Sequence, residues 1–312
     1  MLKYVLKRLG YILVTLWVIV TCTFFMMKNL PGPPFDAERF SIMTPQQQER
    51  VLEMYGLNDS LPMQYVKYIK NMLKGDLGTS FTYVNQDVSK VITGRLGPSA
   101  LIGIQAVLIG LAIGLILGIL AAWKHNSGID YFTMILAVLG VSVPNFVAAA
   151  LLQYYIGLKW GALPVGFWTG WNCSVLPSIA LSFSATAMVA RFMRTEMLDV
   201  LDQDYIVTAR AKGLSQMKVL MRHAVRNSIL PVVTILGPIV VNLMTGSLAV
   251  ENIFSIPGIG SLFVDCIKAN DYPVIMGITI FYAAFYMLIV LLVDLAYSLI
   301  DPRIRLAKGK ES

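Results

Sequence analysis

The chain of 312 residues is 56 % hydrophobic and only 14 % charged, with a mean hydropathy of +0.67. Soluble domains carry about 25 % charged residues, so this composition excludes an ordinary soluble domain and predicts an integral membrane protein. The net charge of +7 accompanies no basic groove with interleaved aromatic residues, and nucleic-acid binding is therefore not expected.

Six uncharged apolar stretches are long enough, or nearly so, to cross the bilayer core, which takes roughly 20 residues per helix. In chain order they are 9–27, 99–123, 131–158, 175–190, 228–250 and 272–293. The fourth is short by itself, but the preceding residues 160–174 are also uncharged and rich in Trp and Gly. The sequence therefore predicts an all-α integral membrane protein with six transmembrane helices.

The distribution of charge predicts how these helices are oriented. With the N-terminus in the cytoplasm, the inner segments hold fifteen of the 25 Lys and Arg residues and eight of the 18 acids. The whole net charge of +7 then lies on the inner side, as the positive-inside rule requires, and contact with anionic lipid is expected there. The prediction is that both termini face the cytoplasm.

The first stretch follows basic residues, as a signal peptide would, but it is longer than a usual signal-peptide core and lacks a small-x-small cleavage site. We expect it to be retained. The chain is then divided into an N-terminal tail with the first transmembrane helix (1–27), an extracellular insertion (28–98) and a five-helix core (99–312). The core contains a long cytoplasmic loop at 191–227.

Within the insertion, residues 61–75 form an amphipathic pattern that ends at Gly75. One face carries Leu61, Tyr65, Tyr68, Ile69 and Met72, and the other carries Lys67, Lys70, Asn71 and Lys74. Two interpretations are open: an outer platform that lies on the membrane and meets a partner, or a helix that packs on the transmembrane bundle.

The second stretch carries a small residue at every fourth position: Ala106, Gly110, Gly114, Gly118 and Ala122. Such a stripe lets two helix backbones approach closely, which is how helices associate in lipid. It therefore predicts a tight helix–helix contact.

Prolines and polar side chains at membrane depth are the candidates for a substrate path. Pro144, Pro231 and Pro238 remove backbone hydrogen bonds and favour kinks. Hydrogen-bonding side chains at this depth are Asn145, Gln153, Ser182, Ser184 and Asn242. Asn145 and Asn242 are the first choices, while helix–helix contact stays open as the alternative for all of them.

Several kinds of chemistry find no support in the chain. None of the six stretches contains Asp, Glu, Lys, Arg or His, which disfavours ion-coupled transport and an intramembrane hydrolase. No G-x-x-x-x-G-K-[ST] sequence occurs, so the chain is not expected to hydrolyse ATP. His125 and His223 lie in different inner loops and predict no site. Cys173 and Cys266 are either unpaired or joined in a disulfide.

The inner loop contains the segment D-Y-I-V-T-A-R-A-K-G-L-S-Q-M-K at 204–218. Asp204 is suited to cap a two-turn helix over 205–212, and Gly213 to end it in the left-handed conformation. Ser215 is suited to cap a second helix over 216–227 that leads into the fifth span. The segment is either a docking element, with small Ala209 and Ala211 leaving room for another surface, or a solvated basic loop.

This segment resembles the cytoplasmic "EAA" loop of ATP-binding-cassette importer permeases, in the version found in dipeptide and oligopeptide permeases. D-Y-x-x-T-A-R-A-K-G-L stands at 204–214 and R-H-A-x-R-N at 222–227. Val207 replaces the first Glu of E-A-A, and H-A-V-R at 223–226 replaces I-x-L-P. Further similarities are L-K-R-L at 6–9, L-P-G at 30–32, Y-G-L at 55–57 with Q-Y at 64–65, G-D-L-G at 75–78, F-S-I-P-G-I-G at 254–260 and D-P-R-I-R at 301–305.

The resemblance implies a type I importer fold in a bacterial inner membrane, with this chain as a permease subunit that holds no cofactor of its own. It implies a second permease subunit, two ATPase subunits that bind ATP and Mg²⁺, and an extracellular binding protein that meets 28–98 and 251–272. Cargo would be dipeptides or oligopeptides, with nickel, glutathione or an oligosaccharide as the alternative. Coupling to the ATPase would involve Asp204, Tyr205, Ala209, Arg210, Lys212 and Gly213.

Overall fold

The structure is a computed structural model that describes residues 2–29, 37–54, 56–83, 86–244 and 248–300. The first half of the described chain forms α1 (Leu2–Lys28), α2 (Ala37–Ile42), α3 (Pro45–Met54), α4 (Leu61–Met72), α5 (Val88–Trp123), α6 (Gly128–Ser142) and α7 (Asn145–Leu152). The second half forms α8 (Val175–Leu201), α9 (Asp204–Ala211), α10 (Gln216–Lys218), α11 (Arg226–Met244), α12 (Leu248–Ile253), α13 (Ile259–Lys268) and α14 (Tyr272–Ile300). Gln153–Lys159 and Val219–Val225 are π-helical, and Trp171–Ser174 is a 3₁₀ turn.

Among the described residues, five helices are long and apolar enough to cross a membrane, and the number is six when the bent pair of α6 with Asn145–Lys159 counts as one span. This confirms the six-span prediction, although the third span is not straight because its two halves meet at 100°. The bend has a local cause. Pro144 supplies no N–H, and the preceding Val143 is extended at φ −80° and ψ 118°.

The other two prolines predicted to favour kinks do not interrupt their helix. α11 stays helical through Pro231 and Pro238. Some predicted features lie outside the described residues: the L-P-G at 30–32, Tyr55, residues 245–247 of the fifth stretch and the D-P-R-I-R at 301–305.

The chain divides into two compact units. The first unit comprises Met1–Gly97 and Pro257–Met287, and the second comprises Pro98–Ile256 and Leu288–Ser312. In the first unit the buried core joins the start of α5 to α13 and α14, with Val88, Leu262 and Ile278 almost fully buried. The outer insertion of the sequence is thus folded together with α1 and with residues that come near the end of the chain.

In the first unit, α4 packs on α1. The hydroxyl groups of Thr21 and Tyr65 are 2.7 Å apart, and the rings of Phe24 and Tyr65 meet edge to face with centroids 5.4 Å apart. Burial raises the pKa of Tyr68, which lies on the same face of α4. Of the two interpretations of this amphipathic helix, the structure shows the packing contact.

A buried carboxylate orders the loop that precedes α5. Asp271 is fully buried and accepts hydrogen bonds from the hydroxyl of Ser80, from the N–H of Phe81 at 3.2 Å and from the N–H of Thr82 at 3.0 Å. Its other contact is the N–H of Val274, in the first turn of α14. One side chain therefore ties a turn near residue 80 to the start of the last helix.

The second unit is organised around α8, the helix with which α6, α7 and α11 make their largest described contacts. α5 lies against α8 along its small-residue stripe. A Cβ atom added at Gly110 would lie 2.7 Å from the Cβ of Ala185, and one added at Gly118 would lie 2.6 Å from the carbonyl oxygen of Ala190. The predicted tight helix–helix contact is confirmed, and it leaves no room for a methyl group.

This geometry predicts that Gly118→Ala destabilises the protein. The new Cβ would meet a backbone carbonyl that cannot rotate away, so we expect the free energy of unfolding to fall by about 1–3 kcal/mol. The measurement is denaturant or thermal unfolding of the purified protein in detergent.

Gly94→Ala is the matched control, because Gly94 also lies in α5 and has no atom within 4 Å of an added Cβ. Alanine is the better helix former there, and we expect a stability change between zero and a gain of about 1 kcal/mol. Equal effects of the two substitutions would show that helix propensity, and not the α5–α8 contact, governs this stripe.

Candidate functional site

The candidate site is α9 and its surroundings in the inner loop. α8 ends at Leu201, and Gln203 takes the extended N-cap conformation at φ −78° and ψ 146°. Asp204 is therefore the first helical residue and not the cap, which corrects the prediction from the sequence. Its carboxylate still lies in the first turn, where the helix dipole favours negative charge.

The end of α9 follows the sequence prediction. Gly213 has φ +77°, in the left-handed region that glycine adopts without steric cost. The N–H of Lys212 donates to the carbonyl of Thr208 at 3.0 Å, and the N–H of Gly213 donates to the carbonyl of Arg210 at 2.9 Å. No atom lies within 4 Å of a Cβ added at Gly213, so the constraint on this residue is its backbone conformation and not the space around it.

Beyond Gly213 the chain enters a second helical segment. Ser215 is extended, as predicted for a cap, but its side chain makes no capping hydrogen bond. The helical path then runs through α10 and the π-helical Val219–Val225 into α11. The predicted helix over 216–227 is thus present, with a π-helical stretch in its middle.

One side of α9 is buried against this second helical segment. Ile206 is fully buried and Ala209 is 6 % exposed, and both pack against Val219 together with the half-buried Val200 and Leu201. The side-chain amide of Asn227 donates a hydrogen bond to the Tyr205 hydroxyl at 3.2 Å. α9 is therefore attached both to the end of α8 and to the helical segment that leads into α11.

The other side of α9 is exposed. Of the residues proposed for coupling, five are exposed: Asp204, Tyr205, Arg210, Lys212 and Gly213. Ala209 is not, because its side chain packs against Val219. This corrects the expectation that its small side chain leaves room for another surface: the small size is required by packing within this chain.

The residues proposed for a substrate path lie on different elements, and two of them are already engaged. The amide nitrogen of Gln153 donates to the carbonyl oxygens of Val165 at 2.8 Å and Ile253 at 2.7 Å. Ser182 is 2 % exposed and donates to the carbonyl of Ile179 within its own helix. Both side chains are thus already hydrogen-bonded within the fold, and their assignment to a path stays a prediction.

The remaining path candidates stay predictions. Asn145 is half-buried at the first position of α7, directly after the bend at Pro144, and Asn242 is exposed on α11. Ser184 is half-buried on α8, 3.5 Å from the carbonyl of Leu181.

The second unit has a charged cluster near its inner end that the sequence analysis did not predict. Asp130 is 1 % exposed, and its two carboxylate oxygens accept hydrogen bonds from the Arg194 guanidinium at 2.6 and 2.8 Å. The Nδ1 atom of His125 lies 3.0 Å from the same carboxylate. In the sequence, the only indication of this cluster was the position of Asp130 directly before the apolar stretch 131–158. Its partner Arg194 lies 64 residues further along the chain.

The three cysteines are free, so the disulfide alternative is not realised. Cys22 is exposed, whereas Cys173 and Cys266 are buried. Burial raises the pKa of the Cys266 thiol to about 12. Cys22, the exposed one, lies within the membrane-spanning α1.

Comparison with sequence families gives two matches. Residues 114–306 match the binding-protein-dependent transport system inner membrane component family, and residues 1–96 match the N-terminal part of the membrane components of such systems.

Full-length relatives carry the same kind of description. The chain is 46 % identical over 306 residues to the dipeptide transport system permease protein DppB of Lactococcus lactis, covering 98 % of this chain and 100 % of the relative. It is 43 % identical to DppB of Bacillus subtilis, with 99 % of both chains covered. It is 39 % identical to the oligopeptide transport system permease protein OppB of Salmonella typhimurium, covering 98 % of this chain and 100 % of that protein.

Solved structures with the same fold are more distant in sequence. One is the inward-facing MetNI methionine ABC transporter, with a TM-score of 0.58 at 14 % identity, covering 68 % of this chain and 96 % of that one. Another is an amino acid ABC transporter with histidines, with a TM-score of 0.51 at 19 % identity, covering 69 % and 94 %. These similarities show a type I ABC importer fold, as expected.

Because one side of α9 is buried and the other is exposed, cysteines at two neighbouring positions are predicted to differ in thiol reactivity. In a Cys22→Ser background, Val207→Cys is expected to react with a maleimide readily, because Val207 is 59 % exposed. Ala209→Cys is expected to react at least about ten-fold more slowly, since α9 must separate from Val219 before the reagent can reach the thiol.

The measurement is the labelling rate of each purified variant by mass spectrometry. The Cys22→Ser parent is the blank, because Cys173 and Cys266 are buried. Similar rates for Val207→Cys and Ala209→Cys would contradict the buried position of Ala209.

Proposed function

Because this chain belongs to the family of inner-membrane components of binding-protein-dependent transport systems, we propose that its cargo is dipeptides and oligopeptides. The chain is a multi-pass inner-membrane permease subunit that works within a multi-subunit ABC transporter. ATP hydrolysis belongs to separate subunits of that transporter.

The observation that carries the coupling proposal is the position of α9. Its buried side is fixed by Ile206 and Ala209 to Val219, and its exposed side presents Tyr205 and Arg210. A subunit that binds the exposed side and moves would therefore move the end of α8 and the start of α11 together. The proposed partner at this surface is a cytoplasmic ATPase subunit.

The assembly proposed around the chain contains a second, related permease subunit, two ATPase subunits that bind ATP and Mg²⁺, and an extracellular binding protein. An effector shifts a conformational equilibrium only by its difference in affinity for the two states. ATP must therefore favour one arrangement of the bundle over the other, and α9 is the element through which that preference would reach α8 and α11.

The cargo is proposed from the relatives, which are described as dipeptide and oligopeptide permeases. The test is ATP-dependent uptake by the complete transporter in sealed vesicles. Labelled dipeptides and oligopeptides are compared with nickel, glutathione and an oligosaccharide. Uptake of a non-peptide solute in preference to every peptide would overturn the proposed cargo while leaving the permease assignment intact.

The role of α9 predicts the effect of substitutions at Gly213. Gly213→Val is expected to lower uptake and cargo-stimulated ATP hydrolysis, because a β-branched residue disfavours φ +77° and the end of α9 must change. Membrane insertion is expected to be unchanged, since Gly213 is exposed and no atom of the described residues lies within 4 Å of an added Cβ.

Gly213→Asn is the matched control, because asparagine tolerates the left-handed conformation far better than valine does. It is expected to keep most of the uptake. Normal uptake by the Val variant, or equal losses in both variants, would contradict the assignment of Gly213 as a conformational stop.

A further inference from the structure

A row of exposed cations runs along the helical segment between α9 and the membrane. Lys218, Arg222 and Arg226 are four residues apart, and all three are exposed at the protein surface. Over this short length, residues spaced by four stay on one side of the helix, in the π-helical stretch as in the α-helical turns that flank it. The three cations therefore form a continuous basic row, named here the 218–226 row.

The row lies on the side of the helix that the rest of the unit leaves uncovered. Val219, Leu220 and Ala224, which alternate with the cations along the chain, are buried at 4 % exposure or less. α9 packs against Val219, so the exposed side of this helix is a surface separate from the exposed side of α9.

The charges of the row are not neutralised within the described part of the chain. None of its three cations forms an ion pair there, whereas Arg194 in the same unit is paired with the buried Asp130. An exposed guanidinium keeps all its donors available, and its planar fork matches the oxygens of a phosphate. The row is thus equipped for an anionic partner from outside the chain.

The position of the row along the helix indicates which anion it meets. Arg226 begins α11, and the uncharged stretch of this span begins two residues later at 228. With a rise of about 1.5 Å per residue, Arg226, Arg222 and Lys218 lie at most about 3, 9 and 15 Å from the edge of the hydrocarbon core. The headgroup layer is about 5–7 Å thick on each side.

Arg226 and Arg222 therefore lie at, or next to, the depth of lipid phosphates. Lys218 lies about one Debye length, roughly 8 Å at physiological ionic strength, beyond the headgroups. The positive-inside pattern places this end of α11 in the cytoplasmic leaflet, whose surface is negative. The depth of the row, its positive charge and the planar geometry of its guanidinium groups all match an anionic phospholipid.

We propose that the 218–226 row binds the phosphate headgroup of an anionic glycerophospholipid in the inner leaflet. The lipid is held by the guanidinium groups of Arg222 and Arg226, with Lys218 adding to the attraction. The bound lipid ties to the membrane surface the same helical segment on which α9 is seated.

The test compares two variants of the complete transporter that remove the same charge. Arg222→Gln with Arg226→Gln removes two cations of the row. Lys70→Gln with Lys74→Gln removes two exposed cations in and just after α4 that have the same four-residue spacing. Binding of phosphatidylglycerol and of phosphatidylcholine to each purified complex in detergent is measured by native mass spectrometry.

Each Lys or Arg near an anionic surface contributes about 1 kcal/mol, which is a factor of about five in affinity. We expect phosphatidylglycerol to bind about 25-fold more weakly to the row variant, while the α4 variant stays within about two-fold of the wild type. Phosphatidylcholine binding is expected to be equal in all three proteins, and added salt is expected to weaken only the phosphatidylglycerol binding.

A third variant distinguishes the loss of positive charge from a disturbance of folding. Arg222→Lys with Arg226→Lys keeps both charges and is expected to retain phosphatidylglycerol binding to within a few-fold. Unchanged binding in the Gln variant, or an equal loss in the α4 variant, would overturn the proposal. So would unchanged lipid binding combined with loss of co-purified ATPase subunits from the Gln variant, since the row would then be a protein contact.

Discussion

The second unit depends on the close approach of α5 to α8. Helices in lipid gain little from excluding water, so their association rests on packing, and packing is best where glycine lets two backbones meet. At Gly110, Gly114 and Gly118 an added Cβ would lie under 3 Å from an atom of α8. α6 makes a similar approach at Gly140, where a Cβ would lie 3.0 Å from the Cβ of Ala187. α8 is thereby held on several sides along its length.

The inner end of α8 carries the features on which the proposed coupling depends. Arg194 joins this end to the buried Asp130 of α6, and breaking a buried pair of this kind costs about 3–5 kcal/mol. Seven residues after Arg194, α8 ends and the chain turns into α9, whose Ile206 is seated against Val219. A well-held helix therefore leads directly into a short helix with one exposed side. This is the arrangement needed for a force applied at the surface to reach the transmembrane bundle.

Much of this site could be predicted from local sequence. The apolar stretches, the stripe of small residues and the stop at Gly213 depend on neighbouring residues, on helical spacing or on the conformational freedom of one residue. The resemblance of 204–227 to a known permease loop located the helix proposed for coupling from the order of its residues alone. Helical spacing also placed Tyr205, Ile206 and Ala209 near one another. It did not show that Ile206 and Ala209 are buried within this chain, whereas Tyr205 stays exposed with its hydroxyl hydrogen-bonded to Asn227.

The sequence by itself determined the membrane class, the number of spans, the position of the helix proposed for coupling and the glycines that permit close packing. Only the tertiary structure decided which polar side chains already have partners. Gln153 is engaged with a carbonyl 100 residues away, Asp130 with an arginine 64 residues away, and Asp271 with the turn at Ser80. The physical reason is that hydropathy and spacing are properties of neighbouring residues, whereas a hydrogen bond between distant segments exists only once packing has brought both ends together.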